Sequence, residues 1–182
     1  MKKLLAFVTV AALAATTQAA TVGWNIAKTD AAYKGDAFQL FIIGQNGVTS
    51  VDAITLLLDA GEDVSSKAFA TGTLTTAAGG NVMSPANSGK EITTAGDYTA
   101  FVVIYDTATP TAGTSKYAVL SGASGLTQTI GSSTAQIQFK TGDMSSVVGN
   151  SSNWQAYGVP EPTTVALLAL GLAAVGLKRK VA

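Results

Sequence analysis

The sequence predicts an all-β body, an antiparallel β-sandwich with one short helix, followed by an apolar C-terminal segment read as a transmembrane helix. Three observations carry this reading. Stretches of period-two patterning mark half-buried strands, two longer runs are apolar on both faces as central strands are, and no regular alternation of strand and helix periods is present to build a parallel α/β sheet. In order, TVGWNIAK puts Val22, Trp24 and Ile26 on one strand face. FQLFIIG and YTAFVVIY are the two double-sided runs, bordered by Gly or Asp. AQIQFK puts Ala135, Ile137 and Phe139 on one face and Gln136, Gln138 and Lys140 on the other. Between residues 20 and 159, 19 threonines and 14 serines place a hydroxyl at 33 of 140 positions, a composition suited to solvated strand faces and turns.

Two local features sit inside this pattern. In AGDYTAF, Tyr98 opens a strand after Gly96 and Asp97, as at the tyrosine corner of sandwich domains, where the hydroxyl bonds nearby main chain. VDAITLLLDAG fits either a buried strand or a short helix. Ser50 as N-cap, Asp52 in the first turn and Gly61 just past the end favour the helix, although Asp59, Glu62 and Asp63 would then crowd the negative end of its dipole.

The N-terminus reads as a secretory signal over residues 1–19. Lys2 and Lys3 form a positive start, Leu4 to Ala15 is apolar apart from Thr9, and Thr17 and Ala19 supply the small residues needed for cleavage by signal peptidase between Ala19 and Ala20. The apolar run is too short for an uncleaved anchor. With both termini set aside, the body at 20–158 holds six lysines against ten carboxylates, a net charge of −4, and no arginine. That balance argues against nucleic acid as a partner. One domain of this size buries roughly two-thirds of its unfolded surface without disulfides, and the chain has no cysteine.

The C-terminal segment, residues 159–182, starts with Pro160-Glu161-Pro162. Prolines on both sides of Glu161 forbid regular helix and hold the backbone extended. Val165 to Leu177 follows as 13 residues without charge, about 20 Å as a helix against a hydrocarbon core of about 30 Å. Snorkelling of Lys178, Arg179 and Lys180 narrows that gap, and their charge favours a cytoplasmic C-terminus with the body across the membrane. Leucines and valines occupy all sides of this segment, so it has no polar face to lay on a domain surface. The preceding NSSNWQAYG reads as a flexible lead, with Trp154 and Tyr157 available as interfacial anchors.

This order of a Pro-Glu-Pro element, a short apolar span and a basic cluster resembles the PEP-CTERM sorting signal of Gram-negative bacteria. The resemblance covers about 24 residues and implies recognition by exosortase, a membrane-embedded protease-transpeptidase. It implies removal of the tail near the motif and transfer of the body to the cell surface or an exopolysaccharide matrix. Pro160, Glu161 and Pro162 match the recognition element, Val165 to Leu177 the inner-membrane span, and Lys178, Arg179 and Lys180 the stop-transfer cluster. Nothing in the resemblance concerns the body's own activity.

Within the body the catalytic repertoire is narrow. Histidine is absent, which removes Ser-His-Asp and Cys-His mechanisms and the usual zinc sites. GASG at 122–125 lacks the spacing of a nucleophile elbow, because position 126 is Leu. Partners of a glycosidase carboxylate pair can lie far apart in a chain, but Glu62 and Glu91 are the body's only glutamates and neither sits in a motif. Asp59, Glu62 and Asp63 offer hard oxygen ligands, yet their spacing misses a calcium loop, so a solvated acidic turn is the expectation and neither metal nor other cofactor is called for. Two function classes follow: a structural or adhesive surface component without catalysis, or a carbohydrate-binding module or small glycan-active enzyme using Trp24, Tyr33, Tyr117 or Trp154 as a stacking face.

Overall fold

Ten residues from Gly96 to Tyr105 form the longest strand, and their double-sided apolarity decides the architecture. The computed structural model describes residues 19–27, 31–76, 82–83, 90–131, 134–143 and 145–158. In chain order the elements are β1 (Ala20–Ala27), β2 (Ala37–Ile42), α1 (Val51–Asp59), β3 (Ala70–Thr73), β4 (Thr75–Thr76), β5 (Val82–Met83), β6 (Glu91–Ile92), β7 (Gly96–Tyr105), β8 (Lys116–Leu120), β9 (Thr127–Ile130), β10 (Gln136–Asp143), α2 (Ser145–Val148) and β11 (Gln155–Ala156). The described chain is thus mostly β, with few helices.

The larger sheet runs β11-β8-β7-β2-β3, with β9 paired to the first half of β7. Its central strands β2 and β7 are antiparallel, Phe38 opposite Ile104 and Ile42 opposite Ala100. A smaller sheet runs β10-β1-β6. Here the expectation of purely antiparallel pairing is corrected: β1 pairs β10 in parallel, Val22 opposite Ile137 and Trp24 opposite Phe139. Antiparallel pairing is the rule for strands joined by tight turns. β1 and β10 lie at opposite ends of the body, so no turn dictates their direction.

The strand period divides the apolar residues between two faces. Phe38, Leu40, Ile42, Ala100, Val102, Ile104 and Leu120 meet Ala20, Val22, Trp24, Ile137 and Phe139 of the smaller sheet in one core. Trp24 and Phe38 touch edge to face with ring centroids 6.4 Å apart. On the other face Phe41, Phe101, Val103, Tyr105 and Tyr117 receive Ile54 and Leu58 of α1. The double-sided runs are therefore covered by a sheet on one side and a helix on the other. Each large side chain so buried stabilises the fold by about 1.5–3 kcal/mol relative to exposure.

Residues 51–59 are helical, for the capping reasons read in the sequence. Ser50 Oγ accepts the Ala53 N–H at 3.1 Å. At the other end Glu62 N–H reaches Leu57 O at 2.9 Å and Gly61 N–H reaches Leu58 O at 3.0 Å, the bond pair of a Schellman motif. Gly61 adopts the positive φ of +79° that this motif requires. The Tyr98 hydroxyl donates to Thr94 O at 2.8 Å from a buried position, which is the tyrosine-corner contact.

Candidate sorting terminus

The functional question turns on how the body hands over to its C-terminal segment. After α2 the chain makes a tight turn in which Asn150 Oδ1 accepts the Ser152 N–H at 3.1 Å. Trp154 then folds inward. Its Nε1–H donates to Val148 O at 2.7 Å, the same carbonyl that accepts the Tyr33 hydroxyl at 2.9 Å, and the two rings stack with centroids 5.3 Å apart. β11 adds to the edge of the larger sheet, Gln155 opposite Tyr117 and Ala156 opposite Lys116.

Tyr157 is buried and bonded through both backbone groups and its hydroxyl. Its N–H donates to Ser115 O at 2.9 Å, its carbonyl accepts the Gly113 N–H at 2.7 Å, and its hydroxyl donates to Glu62 O at 3.1 Å. Gly158 closes the described chain by donating its N–H to Leu58 O at 2.9 Å, across the end of α1. It has φ +74°, and a Cβ there would lie 2.7 Å from Ala112 Cβ and 2.9 Å from Gly61 Cα. Only glycine allows this approach. The expectation of a flexible lead with interfacial anchors is therefore wrong: residues 151–158 belong to the body. Two large aromatics in nine residues were the available signal, since such rings are seldom left in a linker.

Three tyrosines line the sheet behind this exit. The Tyr117 hydroxyl has one proton and faces Asp59 Oδ1 at 2.6 Å and Gln155 Oε1 at 2.7 Å. The carboxylate takes the proton, and the Gln155 amide turned over gives an N–H to the same hydroxyl oxygen. Tyr105 donates to Gln39 Oε1 at 3.1 Å and meets Tyr157 edge-on at 5.8 Å. Burial, first of all, holds the phenols of Tyr105, Tyr117 and Tyr157 above their ordinary range, and nearby carboxylates add to the effect.

These contacts also dispose of the acidic cluster. Asp59 is engaged by Tyr117, the main chain of Glu62 by Tyr157, and Asp63 Oδ1 by the Ser65 N–H at 2.9 Å, a bond that lowers the Asp63 pKa. The carboxylates of Asp59 and Asp63 thus serve different partners, while the contact to Glu62 is through its main chain. Among the described residues no group of three such ligands forms a metal site. Elsewhere, burial and then the charge of Asp106 raise the pKa of Asp36. The proposed stacking faces fare similarly: Trp24 and Tyr117 are buried, while Tyr33 and Trp154 each cover one face of the other.

At the opposite end, Ala19 is half-buried and Ala20 is fully buried as the first residue of β1, opposite Ile92 of β6. A family model for the PEP-CTERM protein-sorting motif matches residues 158–180, a stretch that begins at Gly158, the last described residue. The chain carries a PEP-CTERM sorting signal. No curated protein and no solved structure matches it. The signal marks a protein that exosortase processes and that is exported to the cell surface. The matched stretch includes Pro160, Glu161, Pro162, Lys178, Arg179 and Lys180, all outside the described residues, as are the expected span Val165 to Leu177 and the signal segment up to residue 18. Among the described residues no helix is long and apolar enough to cross a membrane.

Proposed function

We propose that this protein is a surface or extracellular-matrix component, structural or adhesive and without catalysis of its own, whose C-terminus is a disposable address. The observation that carries the reading is the sorting match at 158–180, which begins at the last residue that the described body holds by hydrogen bonds, Gly158. In the proposed sequence of events, signal peptidase cleaves between Ala19 and Ala20 and the apolar tail holds the precursor in the inner membrane. Lys178, Arg179 and Lys180 stop its transfer, and Pro160, Glu161 and Pro162 present a rigid extended peptide to exosortase. The released body then joins the cell surface or an exopolysaccharide matrix. The body's lack of histidine and cysteine, and the inward use of its aromatics, fit a scaffold better than an enzyme or a sugar platform.

The test replaces Pro160, Glu161 and Pro162 together by alanine in a host that possesses exosortase. Because the core residues and the hydrogen bonds of the body lie at or before Gly158 among the described residues, the variant body should fold as wild type. Mass spectrometry of the C-terminus should find full-length variant, still bearing Lys178 to Lys180, in the inner membrane, and shortened wild type outside it. Identical partitioning of the two proteins would refute the reading.

A further inference from the structure

An enzyme that cuts a peptide holds it extended, and main-chain hydrogen bonds supply much of that hold. Residues 159–162 have little to offer, because Pro160 and Pro162 carry no N–H and only Val159 and Glu161 remain as donors. The next donors upstream are Gly158 and Tyr157, and both are bonded within the body, to Leu58 O at 2.9 Å and Ser115 O at 2.9 Å. From Gly158 to Pro160 the chain can extend at most about 7 Å, while the body has a radius of gyration of about 14 Å. Pro160 thus lies within that short reach of Gly158, and the peptide upstream of the motif cannot lie in the enzyme and in the sheet at once.

The hold on that peptide is light. β11 is a two-residue pairing at a sheet edge with both residues exposed, and beyond it stand the side-chain bond between Gln155 and Tyr117 and the Tyr157 and Gly158 contacts. Short, exposed edge pairings open locally at far lower free energy than the core. We propose that Gln155–Gly158 is a latch whose release from β8 and α1 precedes and limits removal of the tail. This rests on the sorting reading above and deepens it: the rate of processing follows the open fraction of the latch. The close contact of Gly158 with Gly61 and Ala112 then sets how readily the motif is surrendered.

Lys116 and Ala156 stand opposite one another, both exposed, in a chain without cysteine. In an oxidising compartment the double variant K116C/A156C can therefore cross-link the latch shut. The full chain is pulse-labelled in a host with exosortase, and tail loss is followed by mass spectrometry. Cross-linked protein should lose its tail at least tenfold more slowly than either single-cysteine variant, and reduction should restore the rate. Tyr157→Phe removes the bond to Glu62 O without changing shape and should speed tail loss by about fivefold. Equal rates for the cross-linked and single-cysteine proteins, or no acceleration by Tyr157→Phe, would overturn the latch while leaving sorting intact. Tail loss from the triple-alanine protein at the wild-type rate would instead take down the sorting reading, and the latch with it.

Discussion

The body is joined to a proposed disposable segment at each end, and the two joins are built in opposite ways. At the entrance, Ala20 is fully buried and β1 lies between β10 and β6, with Val22 and Trp24 in the main core. At the exit, β11 is a two-residue edge pairing, and only Tyr157 of the last four described residues is buried. A scissile bond next to a core strand is accessible only while the chain is unfolded, as it is during export. A site beyond an edge strand can be reached after folding. On the proposed reading this difference implies an order: the N-terminal cut before the body folds, the C-terminal cut on the folded body.

The largest effect should come from breaking the entrance. Trp24→Ala removes the side chain that joins the two sheets and should cost about 3–5 kcal/mol, read as a lower denaturant midpoint. Trp24 Nε1 is buried without a hydrogen-bond partner, so Trp24→Phe should recover most of that loss, as it deletes an unsatisfied donor. A phenylalanine variant as unstable as the alanine variant would show that the indole is held by something other than packing.

Alkali should act on the exit side. Tyr105, Tyr117 and Tyr157 have folded pKa values above their unfolded value, which is about 10. The native state therefore keeps protons that the unfolded chain gives up. Their contribution to stability is complete below pH of about 10 and is lost as pH rises further, through the folded values. Denaturant midpoints should hold steady from pH 8 towards 10 and fall beyond it. A double change of Tyr105 and Tyr157 to Phe should flatten the fall, and an unchanged slope would place its cause elsewhere.

The smallest effect distinguishes the two joins most finely. Ser50→Ala removes the α1 cap and should cost about 1 kcal/mol. Because Gly158 is bonded to Leu58 of that helix while Val22 is bonded to Lys90 O, amide exchange should quicken more at Gly158 than at Val22. Equal acceleration at both would mean that the exit is not held by α1.

What the sequence made legible, and what it did not, follows the same division. β1, β2, β7 and β10 were readable because period two and double-sided apolarity are local signals, and α1 because Ser50 and Gly61 sit at its two ends. The Tyr98 corner was readable for the same reason, its acceptor being four residues away. The parallel partnership of β1 and β10 was not, since it joins strands more than a hundred residues apart and leaves no mark on either. The exit was misread as a linker because its hold is equally remote: Tyr157 is bonded to Glu62, 95 positions earlier, and Gly158 fits only against Gly61 and Ala112. The carboxylates of DAGED read as a solvated acidic turn, and Glu62 and Asp63 are exposed, but the bond from Tyr117 to Asp59 was not legible because its donor lies 58 positions away.

The central claim is that both flanks are removed and that the body between them is what reaches the surface. The intact mass of the protein recovered from the outside of cells that possess exosortase tests this in one experiment. The account predicts a chain that begins at Ala20 and lacks Lys178, Arg179 and Lys180. A surface protein that retains Met1, or that retains the basic cluster, would contradict it.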